Sequence, residues 1–295
     1  MTSRRTFVAC VLCLMTAHLH RLPGSLMAGL AAQQTFSSQV ETVRVDVSVR
    51  QDGQAVTGLV AENFEVFDNG VPQKVDFVAH EASAVSVVIA LDLSGSVQGI
   101  RLEQLQRAGG RLVGMLAPGE TAAVIGFTEL VSIQSGFTGD KPRLIASLQQ
   151  PAEGRDTALA DAVHAALVLG ASQTGRSLVI VFSDGADTAS FLSSDLVLNT
   201  ARRAGPVVYA VTSLVEDQDD FLGDLVRLTG GRRLEVASLE RVSDAFEEIL
   251  NESRARYLLS YTPTGVDAGG WHEIVVRLRG RRADIRARPG YLASP

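Results

Sequence analysis

Asp92, Ser94 and Ser96 form the pattern Asp-x-Ser-x-Ser at the end of an apolar run, residues 85–91, and Asp184 follows a second such run, residues 178–182. Where an extended segment enters a turn, a spacing of two aims alternate side chains toward one place. Two carboxylates and two hydroxyls that converge make a set of hard oxygen donors with few formal charges. That set suits Mg²⁺, which takes octahedral oxygen ligation, accepts neutral donors and keeps bound water. Mn²⁺ or Ca²⁺ are the alternatives, although Ca²⁺ more often recruits bidentate carboxylates and backbone carbonyls.

Other chemistries lack their residues. Leu93-Ser94-Gly95-Ser96-Val97 does not fit the Gly-x-Ser-x-Gly turn of a serine hydrolase. No glycine-rich phosphate cradle is present. His80, His164 and His272 have no ligand spacing and read as surface or partner-facing groups. Catalysis has no candidate, so the chain reads as a binding protein and not as an enzyme.

Ligands of open α/β sheets sit outside the carboxyl ends of the strands, so the elements must bring both acids to that edge. Residues 85–91, 122–127, 178–182 and 207–211 are continuous apolar runs, as strands buried on both faces require. Between them Leu102, Leu105, Leu112 and Val113 share a helical face, as do Leu159, Val163, Ala166 and Leu167. This alternation predicts an α/β fold, a doubly wound and mostly parallel sheet with helices on both faces.

The flanks differ. Val43, Val45, Val47 and Val49 alternate with polar residues, the mark of a half-buried strand. Asp52-Gly53 predicts a hairpin, and Asp68-Asn69-Gly70 predicts another that joins residues 64–67 to 74–77. After Tyr257 the period returns to two, with a strand at 257–261 and a hairpin of 272–279 and 283–288 about Gly280. The N- and C-terminal antiparallel pieces are expected to form one small β-sandwich.

The chain has 295 residues, 46% hydrophobic, with a formal charge of −6. That composition excludes a disordered or collagen-like protein, and an acidic balance argues against nucleic acid as a partner. Arg4 and Arg5, an apolar stretch to Ala17 and small residues near 28–32 predict a signal peptide. Ser3-Arg4-Arg5-Thr6-Phe7 also resembles the twin-arginine export signal, an ordinary secretory signal being the alternative. Removing it takes away Cys10, Cys13 and three arginines, leaving a charge of −9, no thiol and no membrane-spanning segment. The expected division is signal peptide 1–32, N-terminal β module 33–83, α/β domain 84–254 and C-terminal β segment 255–295. The expected location is the periplasm or the extracellular space of a bacterium.

Asp92-Leu93-Ser94-Gly95-Ser96 after an apolar strand resembles the metal-ion-dependent adhesion site (MIDAS) of von Willebrand factor type A (VWA) domains, a Rossmann-like fold. Residues 154–162 resemble that family's threonine loop, which nominates Thr157, and Phe182-Ser183-Asp184-Gly185 resembles its last element, which nominates Asp184. The resemblance implies a metal site of Asp92, Ser94, Ser96, Thr157 and Asp184, with one coordination position left for an Asp or Glu of a protein partner. Gly58-Leu59, Glu62–Val66 and Asp68–Gln73, with Tyr257–Tyr261 and Arg286–Tyr291, resemble the flanks of exported type A proteins common in Acidobacteria. An adhesion or scaffold module is implied; a metal-dependent hydrolase and a structural envelope protein with an unused site are the alternatives. Glu129, Asp156 and Asp161 are further acids near these loops, Asp161 reading as a helix first-turn acid. The arginines at 277, 279, 281, 282, 286 and 288 read as a solvated sheet face, or as a contact for an anionic surface.

Overall fold

The computed structural model describes residues 42–80, 84–151, 154–183, 186–213 and 220–293. The segment expected to be a signal peptide and Asp184 therefore lie outside the described residues. Residues Val40–Pro295 make one compact unit, and the other unit, Met1–Gln39, falls wholly outside the description.

Strand β1 (Val43–Gln51) buries its four alternate valines, and Asp52 (φ 51°) and Gly53 (φ 77°) turn it into the short β2 (Gln54–Ala55). Two successive left-handed residues are the geometry that a tight hairpin demands, and Asp-Gly supplies it cheaply. Asn69 (φ 47°) and Gly70 (φ 79°) do the same between β3 (Phe64–Asp68) and β4 (Val71–Gln73). The expected return strand, residues 74–77, is corrected: the two-residue turn pairs Asp68 with Val71, and β5 (Val75–Ala79) leaves for another sheet. Pro72 disguised β4 as a non-strand, yet β4 is an edge strand, where proline is tolerated.

Next come β6 (Val85–Asp92), α1 (Ile100–Gly114), β7 (Thr121–Phe127), β8 (Val131–Thr138), α2 (Lys141–Ser147) and α3 (Leu159–Ala171). They are followed by β9 (Arg176–Ser183), α4 (Ser194–Arg203), β10 (Val207–Ser213), α5 (Phe221–Thr229), β11 (Arg233–Val236) and α6 (Val242–Arg254). The six strands form one sheet in the order β11-β10-β9-β6-β7-β8, parallel except for β8 against β7. Val87, Ile89 and Leu91 of β6 join one apolar cluster with Leu105, Leu144 and Phe246 from α1, α2 and α6. Val88 and Ala90 join the other, with Val163, Val197 and Leu225 from α3, α4 and α5. The period of two thus sorts one strand's side chains between two cores, which is why its sequence is continuously apolar. Strand β8, an edge with register shifts and half-exposed side chains, carries no such signal.

The chain closes with β12 (Tyr257–Tyr261), β13 (Gly270–Leu278), β14 (Asp284–Arg286) and β15 (Gly290–Ala293). One antiparallel sheet runs β14-β1-β12-β5 and a second β15-β13-β3-β4, so each contains strands from both ends of the chain. Val45, Val47 and Leu259 of the first sheet share a buried cluster with Phe64, Val66 and Ile274 of the second. The hairpin expected about Gly280 does not form: β13 pairs with β3 and β15, whereas β14 pairs with β1. Val276 and Ile285 pack on the same cluster from different sheets, an arrangement that alternation along the chain resembles but does not distinguish from a hairpin.

Three further readings change. His272 is buried, with Nδ1 2.7 Å from Oδ1 of Asp68, so it is not a surface group. Arg288 does not lie on a solvated face: its guanidinium donates to the carbonyls of Arg202 (2.8 Å) and Ala204 (3.2 Å), closing the C-terminal end of α4. Arg286 pairs with Asp284 at 2.8 Å, leaving Arg277, Arg279, Arg281 and Arg282 as the exposed members of the cluster. Arg256, 1% exposed, donates to Tyr209 (3.1 Å) and to the Asp46 carbonyl (2.9 Å), and pairs with the Asp46 carboxylate. It ties β1 and β12 to β10.

Candidate metal centre

Asp92 is the last residue of β6, opposite Phe127 of β7, and is 0% exposed. The chain stays tied to β7 for one more step, Leu93 N–H donating to the Phe127 carbonyl at 2.8 Å. It then turns. Asp92 Oδ1 accepts the Ser94 N–H at 3.0 Å, and the Val97 N–H donates to the Ser94 carbonyl at 3.0 Å. The turn sets the hydroxyls of Ser94 and Ser96 3.2 Å apart, Ser94 buried and Ser96 exposed. Asp92 lies beneath them, its Oδ2 accepting the Ser183 hydroxyl of β9 at 2.7 Å.

Thr157, also buried, is held from two sides. The Ala158 N–H donates to the Thr128 carbonyl at 2.7 Å, beside the end of β7. The Thr157 N–H donates to Thr188 Oγ1 at 2.9 Å, and the Thr157 carbonyl accepts from Thr188 (2.9 Å) and Ala189 (3.1 Å) in the loop after β9. A Cβ on Gly95 would stand 3.2 Å from the Gly154 carbonyl, so the Asp92–Ser96 loop and the Thr157 loop touch. Gly154 itself approaches so closely that a Cβ would collide with Thr128 Cβ and Glu129 Oε2. The carboxyl of Glu129 is held below its usual range, first by its own backbone N–H. Desolvation opposes this, and the N–H groups of Arg155 and Asp156 and the Thr128 hydroxyl add to it. That exposed acid thus shapes the loop that carries Thr157.

Helix α3 begins without a capping side chain of its own at Ala158. The loop after β9 supplies the acceptors instead: Asp187 Oδ2 for the Ala160 N–H (2.9 Å) and Ser190 Oγ for the Asp161 N–H (3.1 Å). Asp161 sits in the first turn of α3, and its carboxylate accepts the N–H groups of Phe191 (3.0 Å) and Leu192 (2.9 Å). Ser183, Asp187, Thr188 and Ser190 were not singled out in the sequence, where they stand as ordinary short hydrogen-bonding side chains after residue 182.

Four of the five nominated residues, Asp92, Ser94, Ser96 and Thr157, therefore occupy two touching loops at the carboxyl edge of the sheet. The fifth, Asp184, follows Ser183 in the chain and lies outside the described residues. Among the described residues no three His, Cys, Asp or Glu side chains gather as a metal site. No described helix is long and apolar enough to cross a membrane.

Residues 87–186 match the family described as von Willebrand factor type A domain. A von Willebrand factor type A protein from Catenulispora acidiphila is 13% identical, with a TM-score of 0.54 over 88% of this chain and 74% of its own. Proximal thread matrix protein 1 from the mussel byssus, solved with a zinc-occupied MIDAS motif, is 16% identical, with a TM-score of 0.53 over 63% of this chain and 49% of its own. The vWF domain of the type V pili tip protein Mfa5 from Porphyromonas gingivalis is 14% identical over 58% of this chain and 95% of its own, with a TM-score of 0.48. At these identities the likeness is one of fold. This chain spans about half the length of the mussel protein it matches. No curated protein matches it.

Proposed function

We propose that the chain is an exported, non-enzymatic binding protein of the exported type A group common in Acidobacteria. In this reading its doubly wound VWA domain holds Mg²⁺ at Asp92, Ser94, Ser96, Thr157 and Asp184. The observation that carries this is the contact of the Asp92–Ser96 loop with the Thr157 loop, with the paired serine hydroxyls above a buried carboxylate. The donor set fits a small hard cation, since neutral hydroxyls supply most of its oxygens and the two carboxylates do no more than balance a divalent ion. A coordination position left to water would admit an Asp or Glu of a protein partner. The residues of this chain then have distinct roles: Ser94, Ser96 and Thr157 offer neutral oxygens, Asp92 and Asp184 offer charge, and Ser183 fixes the orientation of Asp92.

Titration of the purified mature chain with Mg²⁺ by calorimetry tests the site. One bound ion per chain is expected, lost in Asp92→Ala and in Asp184→Ala. Absence of divalent binding, or binding unchanged in Asp92→Ala, rejects it.

A further inference from the structure

Among the described residues, the three most exposed large apolar side chains all lie on loops or loop ends at one edge of the sheet. Phe191 is 91% exposed, Ile100 71% and Leu130 71%, whereas the next, Phe77, is 57% exposed. Ile100 starts α1 directly after the Asp92–Ser96 loop. Leu130 closes the turn after β7, its carbonyl accepting the Thr128 N–H at 3.0 Å, and Thr128 in turn holds Ala158. Phe191 stands in the loop after β9 that binds Thr157 through Thr188. The three therefore come from three different loops that surround the candidate metal centre.

Their exposure is built in. The Phe191 N–H is fixed on Asp161, and its neighbour Leu192 packs on the core shared by α3 and α4. Val131, next to Leu130, packs on the same core, and Leu102, near Ile100, packs on the opposite one. Beside the partly buried Leu192, Val131 and Leu102, each of the three is left directed away from the protein. Large apolar groups held outward around a polar site are the composition of an interface centre.

We infer that Phe191, Leu130 and Ile100 form an apolar collar that selects, as the partner of this site, a protein segment whose single carboxylate is flanked by apolar side chains. The inference rests on the metal-dependent reading above. The charges nearby favour that partner over a membrane surface: exposed Glu129, Asp156 and Asp187 outnumber Arg101 and Arg155, which repels anionic lipid and any further acids on the partner.

The test is selection from a displayed library of random octapeptides on the mature chain in millimolar Mg²⁺. It is run in parallel on the triple variant Ile100→Ser, Leu130→Ser, Phe191→Ser. Wild type is expected to select an acid with apolar neighbours. The variant should retain the acid preference and the Mg²⁺ affinity, lose the apolar preference, and bind the wild-type peptides about tenfold more weakly. An acid selected without apolar neighbours, or the same neighbours selected by the variant, overturns the collar and leaves the metal reading standing. Peptides without an acid, or no peptides at all, count against both. Co-sedimentation with phosphatidylcholine–phosphatidylglycerol vesicles that the variant loses would assign the collar to a bilayer and overturn the protein partner.

Discussion

The hydroxyl of Ser183 donates to Oδ2 of Asp92 at 2.7 Å, joining the ends of neighbouring parallel strands. Asp92 has no solvent to solvate its charge, so each donor it meets decides both its orientation and the cost of keeping it ionised. Replacing Ser183 by Ala removes a donor without opening a large cavity. We expect Ser183→Ala to lose about 1–3 kcal/mol of stability by urea unfolding, and to weaken Mg²⁺ about 10-fold or more by calorimetry, as supports behind metal ligands do. Unchanged affinity would show that Ser183 does not position Asp92.

Gly154 tests the second loop. Its missing Cβ is the space occupied by Thr128 and Glu129, so Gly154→Ala must displace the backbone that leads to Thr157. We expect Mg²⁺ affinity about 10–100-fold lower, with α/β content by circular dichroism retained. Glu129→Gln, which keeps the shape but weakens the acceptors facing Arg155 and Asp156, should move affinity in the same direction by less.

The parts of this architecture that are legible in the chain are those set by local periodicity. Continuous apolar runs place β6, β7, β9 and β10, and Asp-Gly and Asn-Gly place two turns, because burial on both faces and left-handed φ values each constrain residue type directly. Asp92-x-Ser94-x-Ser96 is visible for the same reason, three side chains within one turn. Which strand meets which is not local. Ile285 alternates as a hairpin partner of β13 would, yet pairs with Val49. Thr188 and Asp187 reach Thr157 and Ala160 across 31 and 27 positions, through ordinary loop side chains that no spacing rule identifies. His272 looks like a surface histidine until Asp68, 204 positions away, is found beside it.

Acid should unfold the protein along a defined limb. Burial alone would push the carboxyl of Glu252 up. The hydrogen bond from Tyr209 (2.8 Å) and the charges of Arg232, Arg256 and Arg286 outweigh it and hold the group below its ordinary value of 4.5. Glu120 is likewise lowered against its burial by the hydrogen bond and charge of Arg254, with the Ala117 N–H and Lys141 adding to them. A depressed folded value means that the unfolded chain binds more protons below about 4.5. The stability from these pairs is therefore complete above that pH and is lost as pH falls through the folded values. The urea midpoint should be level from neutral pH to about 5 and then drop. Glu252→Gln should make that drop shallower while costing about 3 kcal/mol at neutral pH, since it leaves the buried Arg256 and the partly buried Arg232 and Arg286 under-compensated. An unchanged slope would assign the acid limb to other carboxylates.

Asp68 is the corresponding hub of the two antiparallel sheets. Fully buried at the end of β3, it accepts from Tyr261 of β12 (2.8 Å) and Tyr291 of β15 (2.9 Å) on Oδ2, and its Oδ1 meets His272 Nδ1 of β13 at 2.7 Å. Both sheets, and both ends of the chain, converge on this one carboxylate. Burial, reinforced by Asp68 and Tyr291, pushes the Tyr261 hydroxyl above its usual range, which favours its protonated, donating form. Asp68→Ala would strand several buried polar groups at once, and we expect it to cost about 3 kcal/mol or more. Tyr291→Phe removes a single donor and should cost about 1 kcal/mol. Because Tyr261 and Tyr291 share one oxygen, their Phe variants should be non-additive in a double-mutant cycle read by urea unfolding. Additive losses, or a loss below about 1 kcal/mol for Asp68→Ala, would mean that the valine-rich cluster alone holds the sheets together.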